Sequence, residues 1–286
     1  MFKRISNGLK KAGLVFLGTL IPYIPMQVQA QEATTPTQET SIVEGEIGIS
    51  YGQKEQTLMG RDFAKGFSID IDGKARIKLS EKGGLKLDGL VRLEEFDYVD
   101  GNGDIKRGFI DTNLVLEQYI NFSNCTAKLG FGVNFDFNKT TQTYEGIEVN
   151  TKNVTAGPIL TGNVDSDYVD FNILLGSGFG KAGNDVQGSS LGIKPKLRAG
   201  LDFDLRKLNV PLRLENYADI EITFLETENI TRNEYNIELG SELSYNLFGD
   251  DDEKFSVTLG ASHSRHYGNQ DNTEDNTFKA GLKVEF

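Results

Sequence analysis

The sequence predicts an all-β protein, a transmembrane antiparallel up-and-down β-barrel of about twelve strands. Three observations lead to this fold class. Apolar and polar residues alternate along the chain, each alternating segment is about ten residues long, and clusters of Gly, Asn and Asp separate one segment from the next. The 286 residues suffice for one large domain of this kind.

Residues 1–30 are predicted to be a secretory signal peptide. The segment begins with four cations and no acid, continues with an apolar run, and ends with the small residues of Val28-Gln29-Ala30. Pro22 and Pro25 would interrupt a transmembrane helix here. We therefore expect export, with cleavage at Ala30 or a few residues to either side.

The residues that follow divide into two parts. Residues 31–40, QEATTPTQET, are polar and lack periodicity, which predicts a flexible periplasmic tether. Residues 41–286 carry the alternating segments and are predicted to form the barrel.

Charge and composition narrow the function classes. The chain carries 30 Lys and Arg against 42 Asp and Glu, a net charge of −12, and removal of the four leader cations leaves 26 − 42 = −16. An acidic chain is a poor partner for nucleic acid. A mean hydropathy of −0.36 argues against a polytopic helical membrane protein, and the single cysteine, Cys125, argues against a disulfide scaffold. The acidic excess suits a hydrated, cation-preferring interior.

Alternation divides each segment into an apolar face and a polar face. In 67–79, 127–137 and 191–205 nearly every second residue is apolar, and the residues between them are charged, amide-bearing or Gly. If the apolar face meets lipid, the polar face lines the lumen. The lumen-lining residues predicted in this way are Asp70, Asp72, Lys74, Arg76, Lys78, Lys86, Asp88, Arg92, Lys194, Lys196, Arg198, Asp202 and Asp204.

A soluble β-sandwich also alternates, with its apolar face turned to a core. The segment lengths favour the membrane barrel, because they run from roughly nine to fifteen residues whereas soluble strands average about five or six. Aromatic residues also lie near the strand ends on the apolar face, as interfacial girdles require. They are Tyr51, Phe67, Phe137, Tyr235, Tyr245, Phe255, Phe278 and Phe286.

The connections predict twelve strands and their orientation. Short turns alternate with longer polar stretches, and in membrane barrels the short turns face the periplasm. An even strand count also places both termini there. The longer loops are predicted at Gly52–Lys65, Tyr98–Gly108, Asn138–Tyr144, Gly178–Ser189, Glu226–Arg232 and Gly268–Asn276. Ten strands is the alternative, because alternation is ragged around residues 145–167 and Pro158 interrupts it.

The C-terminal segment resembles the assembly signal of Gram-negative outer-membrane proteins. That signal is a terminal aromatic residue preceded by apolar residues at every second position. The matching residues are Phe278, Ala280, Leu282, Val284 and Phe286. The resemblance implies recognition by the barrel-assembly machinery and a location in the cell outer membrane.

The hairpin Ala75–Phe96 is loosely similar to the second hairpin of general diffusion porins. The chain is shorter than a sixteen-stranded porin and lacks the long constriction loop with the signature of that family. The resemblance therefore implies the class, an outer-membrane barrel, and not a trimer or a porin's constriction residues. The oligomeric state stays open.

Charged lumen residues need water or partners, because an unpaired charge is costly in a medium of low dielectric constant. They can line a hydrated pore, or pair across strands and plug a narrow barrel. We predict the first: an outer-membrane channel for passive diffusion of small hydrophilic solutes or ions. The alternative is a plugged structural or adhesive barrel that acts through its extracellular loops. The expected partners are outer-membrane lipid and lipopolysaccharide, the assembly machinery and the solutes.

Two patterns carry weaker hypotheses about chemistry. Ser264 and His266 share one strand face, as an outer-membrane hydrolase would need, but no third catalytic residue is identifiable. Asp100, Asn102, Asp104 and Asp111 have calcium-loop spacing, but Ile105 replaces the required Gly. An ordinary surface turn is the preferred interpretation. We expect no enzymatic activity, no cofactor and no metal.

Overall fold

A computed structural model of the chain describes residues 43–166, 168–184, 188–226, 231–249, 254–268 and 272–286. The predicted signal peptide and tether lie outside these residues. Within them, no helix is both long enough and apolar enough to cross a membrane. The strands are β1 (Val43–Leu58), β2 (Arg61–Ser80), β3 (Gly83–Tyr98), β4 (Gly103–Asn121), β5 (Cys125–Tyr144), β6 (Ile147–Ser166), β7 (Val169–Asn184), β8 (Gly188–Asp204), β9 (Leu212–Glu226), β10 (Thr231–Gly249), β11 (Lys254–Tyr267) and β12 (Asn272–Glu285).

The twelve strands form one closed antiparallel barrel in which every strand pairs with its neighbours in sequence and β12 pairs with β1. The prediction of an up-and-down barrel of twelve strands is confirmed, and the ten-strand alternative is wrong. β6 runs straight through Pro158, which pairs with Val133 of β5. On the β7 side the ladder skips residues 157–158 and resumes in the same register, since proline has no N–H to donate.

Solvent exposure separates the two faces of the barrel wall. The large exposed side chains are apolar, as Phe131 (61% exposed) illustrates for the middle of β5. The buried side chains are mostly polar or charged. This inverts the pattern of a soluble protein and matches a barrel with lipid outside and polar groups inside.

At the end of the barrel opposite to the termini, the strands extend beyond the apolar band, the part of the outer face whose exposed side chains are apolar. The predicted loops at Gly52–Lys65, Tyr98–Gly108, Asn138–Tyr144 and Gly178–Ser189 are therefore wrong for most of their length, because paired strand occupies them. A two-residue turn, Met59-Gly60, connects β1 to β2, and another, Glu145-Gly146, connects β5 to β6. Both residues of each turn have positive φ, as a type I′ hairpin requires. Outside the bilayer neither face needs to be apolar, so the alternation that marks a strand disappears while the backbone pairing continues.

Inward-facing glycines allow the wall to bend sharply between β6 and β7. A Cβ atom at Gly157 would lie 1.8 Å from the carbonyl oxygen of Ser177, and one at Gly180 would lie 1.8 Å from that of Val154. No side chain fits at such distances, and glycine is the residue that permits a tight bend in a barrel wall. Side chains of β8 contact β4 and β5 on the inner side of β6 and β7.

Candidate functional site

The inner face of the barrel is the candidate site. Three of the predicted lumen-lining residues, Asp70, Lys196 and Asp202, are buried. Nearly all of them make ion pairs, and several of these pairs join strands that are not neighbours in the sheet. Two side chains can meet across non-adjacent strands only inside the barrel. The pairs therefore place both partners on the inner face.

One set of pairs links β8 with β4 and β5. Lys196 contacts Asp111 of β4 and lies 3.3 Å from Glu221 of β9. Lys194 lies 2.7 Å from Asp136 of β5 and 3.0 Å from Glu221. The Lys196 side chain is 6% exposed and that of Asp111 3%. These contacts join β8 to β4 and β5 across the lumen, on the inner side of β6 and β7.

A second cluster is centred on Asp70 of β2. Arg92 of β3 donates two hydrogen bonds to its carboxylate, of 3.0 and 3.1 Å, and Lys279 of β12 lies 2.5 Å away. Glu94, next on the inner face of β3, contacts Lys54 of β1. A bidentate Arg–carboxylate pair with a further cation satisfies the buried acid, so this cluster ties four strands together.

A third cluster lies towards the end that holds the termini. Lys74 pairs with Glu46 at 2.6 Å. Arg213 of β9 lies 2.6 Å from Asp202 and 3.5 Å from Glu46, so it joins β9 to β1 across the lumen. Lys283 of β12 lies within 3.2 Å of carboxylates on β9 and β10.

Arg206 lies at the same end of the barrel, in a turn. It lies in a 3-10 helix, Leu205–Leu208, between β8 and β9, and donates to both carboxylate oxygens of Glu285 at 2.9 Å. It also donates to Asp204 at 2.7 Å, and this hydrogen bond raises the pKa of Arg206 above its ordinary value. The turn is therefore anchored to the last residue of β12.

The remaining predicted residues lie on the same face. Arg76 donates two hydrogen bonds to Glu117, of 2.7 and 3.1 Å. Arg198 pairs with Asp219 at 2.5 Å, and Lys86 with Asp88 at 3.0 Å. Asp72 and Lys78 have the same parity on β2 as Asp70 and Lys74.

The sequence prediction missed most of the acidic partners. They are Glu46, Asp111, Glu117, Glu215, Asp219, Glu221 and Glu285. Their parity relative to the apolar residues of each strand was a usable signal. The sequence does not show which acid faces which lysine, because that pairing depends on how far the strands are offset around the closed barrel.

The patterns considered for chemistry do not converge on a reactive site. Ser264 and His266 are neighbours on the inner face of β11, and among the described residues no hydrogen bond joins them. Asp111, the last residue of the calcium-like spacing, points into the lumen and pairs with Lys196, while Asp104 pairs with Lys106. No cluster of three or more potential metal ligands occurs in the described ranges.

The C-terminal strand closes the barrel. β12 pairs with both β11 and β1, and Leu282 and Val284 lie opposite Ile49 and Ile47. Phe278 is 69% exposed on the outer face, where the resemblance to the assembly signal places its apolar residues.

Comparison with known proteins agrees with this architecture. The sequence matches no family model and no curated protein. Among solved structures, it is similar to an outer-membrane channel from Pseudomonas putida F1, at 12% identity and a TM-score of 0.53, covering 89% of this chain and 100% of that one. A Pseudomonas aeruginosa FadL homologue is similar at 8% identity and a TM-score of 0.47, covering 86% and 90%. The translocator domain of the autotransporter NalP from Neisseria meningitidis is similar at 10% identity and a TM-score of 0.46, covering 98% and 96%. The chain has the fold of Gram-negative outer-membrane β-barrels.

Proposed function

We propose that the protein is a narrow outer-membrane channel for passive diffusion of ions and small hydrophilic solutes. The observation that carries the proposal is that several paired charges of the inner face keep contact with water. The Lys74 side chain is 47% exposed although its Nζ lies 2.6 Å from Glu46, and Arg198 keeps 36% exposure. Arg198 lies in the middle of β8, away from both strand ends, so its exposure supports a hydrated lumen.

The same inner face restricts the size of the solute. Lys194 and Lys196 reach across the lumen to carboxylates on β4 and β5, so their side chains narrow the lumen at this level. Twelve strands stand between the filled eight-stranded barrels and the open sixteen-stranded porins. We therefore expect a unit conductance below that of a general porin and a preference for cations over anions.

The plugged barrel remains the competing function. The buried pairs support it, because a side chain such as Asp111, 3% exposed, is nearly inaccessible to water. The similar structure from P. putida is a channel, and this supports the proposal only as a precedent for the fold. Conductance separates the two functions directly.

The test is a planar-bilayer recording of the refolded protein and of the double variant K196S/D111S. Removing both partners avoids an uncompensated buried charge and shortens two side chains that meet across the lumen. We expect discrete openings for the native chain and larger openings for the double variant.

The matched control is R265S/E274S. These residues form an exposed ion pair at 3.1 Å, and Arg265 lies on the outer face of β11. Its conductance should equal that of the native chain. If neither the native chain nor K196S/D111S shows any unit conductance, the barrel is plugged and the channel proposal is wrong.

Export and assembly belong to the same proposal. The basic and apolar segments of residues 1–30 would direct the chain across the inner membrane. The closing strand, with its terminal aromatic residue, would be recognised by the assembly machinery. The outer apolar face would then contact lipid and lipopolysaccharide.

A further inference from the structure

A cleft opens on the inner face at the end of the barrel opposite to the termini. Its volume is about 460 Å³, within the range of small-ligand sites. It lies where β3 and β5 extend beyond the apolar band, above the charged clusters of the lumen. Its lining includes Asp62, Phe63, Tyr98, Asp100, Gln142 and Tyr144.

Three aromatic rings form adjoining walls of the cleft. Phe63 and Tyr98 are in edge contact, with centroids 4.9 Å apart and planes at 73°. Tyr98 and Tyr144 are in edge contact at 5.6 Å and 89°. Edge contact packs the three rings into one aromatic surface that lines the cleft. An aromatic surface of this kind can hold an alkylammonium group over a ring face.

The rings are held in place by their surroundings. Tyr98 is buried against Ala64, Phe96 and Ile105, and its hydroxyl accepts a hydrogen bond from Gln142. The backbone N–H of Val99 donates to the carbonyl of Phe63 at 3.0 Å. The cleft is therefore a preformed feature of the strand ends.

Two carboxylates give the cleft its charge. Asp100 accepts hydrogen bonds from the Asn102 backbone at 3.0 Å and from the Tyr144 hydroxyl at 3.4 Å. Asp62 has a 65% exposed side chain and lies 3.5 Å from Lys65, which also pairs with Glu55 at 3.3 Å. Lys65 partly neutralises the charge of Asp62. The Asp100 carboxylate makes no ion pair among the described residues.

We propose that this cleft binds a small organic cation with a substituted ammonium group at the outer mouth of the barrel. The aromatic lining attracts the positive charge, chiefly through Tyr144, which is 42% exposed whereas Tyr98 is 5% exposed. The carboxylate of Asp100 neutralises this charge. Anions and neutral solutes lack this attraction. The site does not depend on conduction, since a plugged barrel with the same strand ends would also bind the cation.

The test is isothermal titration calorimetry of the full-length protein in detergent with choline as the probe. Its uncharged carbon isostere, 3,3-dimethylbutan-1-ol, is the matched ligand. We expect saturable binding of choline and no measurable binding of the isostere. Tyr144→Ala and Asp100→Asn should each weaken choline binding by about tenfold.

Two variants distinguish the proposed role from a general loss of structure. Tyr144→Phe keeps the ring and should retain affinity within about threefold of the native value. Tyr235→Ala removes a tyrosine of similar exposure from the outer face and should leave affinity unchanged. Equal binding of choline and its isostere, no saturable binding of choline, or the same affinity in Tyr144→Ala would each overturn the proposal. The bilayer recording tests the channel separately.

Discussion

Gly45 and Phe286 exchange two backbone hydrogen bonds and so join the first strand to the last residue of the chain. The N–H of Gly45 donates to the carbonyl of Phe286 at 2.7 Å, and the N–H of Phe286 donates back at 2.8 Å. The phenyl ring lies across Gly45, where a Cβ atom would be 2.7 Å from Cζ. The glycine leaves the space that the terminal aromatic residue occupies, so the seam of the barrel depends on both residues.

Gly45→Ala should weaken closure of the barrel. The new methyl group collides with the far end of the Phe286 ring, which is 45% exposed and can shift, so we expect the low end of an overpacking cost, about 1 kcal/mol. Gly108→Ala is the matched control, because the nearest atom to its new Cβ, Leu93 Cδ2, lies at an ordinary contact distance of 3.7 Å. The heat-dependent shift in gel mobility measures the folded fraction after refolding. Equal folded fractions for the two variants would contradict the role of this contact.

Lys196→Met should destabilise the barrel by about 3 kcal/mol, because it leaves Asp111 buried with only Arg198, 3.9 Å away, as a cation. The double variant K196M/D111N should recover most of this loss, since the amide keeps a hydrogen-bonding group beside Asn134 and carries no charge. Urea unfolding followed by circular dichroism measures the difference, because the chain contains no Trp. An additive double variant would show that the two residues are not coupled.

The exposed pair Arg265–Glu274 provides the comparison. Its partners are 3.1 Å apart and about half exposed. Replacing both with Ala should cost less than about 1 kcal/mol, since solvent screens an exposed pair. The contrast would establish that burial, and not the number of ion pairs, sets the contribution of the inner network.

Pro158→Val should stabilise the barrel by about 0.5–1.5 kcal/mol by adding one backbone hydrogen bond between β6 and β7. The pairing of β6 with β7 skips this position without a change of register, so β7 is already in place to accept a hydrogen bond from a new N–H at residue 158. Pro211→Val, in the turn before β9, adds no strand pairing and should give no stabilisation. An unchanged urea midpoint for Pro158→Val would mean that the gap is filled in another way.

The alternation of apolar and polar residues predicted the fold because lipid requires one face of every strand to be apolar within the bilayer. Between Ala127 and Phe137 each outward residue is apolar, and the strand was recognisable from the sequence. Beyond Phe137 the same strand continues through Asn138–Tyr144 with polar residues on both faces, so it was mistaken for a loop. Asp111 shows what the sequence could not predict about the site. Its position on the polar face of β4 follows from the alternation of residues. Its contact with Lys196, 85 residues away, depends on the geometry of the closed barrel.

Lys74→Gln should make the channel more cation-selective. Lys74 is more exposed to water than Arg198 or Lys196, and its removal leaves Arg213, 3.5 Å away, as the remaining cation beside Glu46. The charge that passing ions meet near Glu46 therefore becomes more negative. One unit charge at about 4 Å in water contributes about 1 kcal/mol, so the ratio of cation to anion permeability should rise by about two- to fivefold. The reversal potential in a KCl gradient measures this ratio. Lys139→Gln, an exposed residue of the β5 extension, removes the same charge outside the lumen and should leave the reversal potential unchanged. If both variants shift it equally, selectivity is set by the overall charge of the protein and not by the inner face.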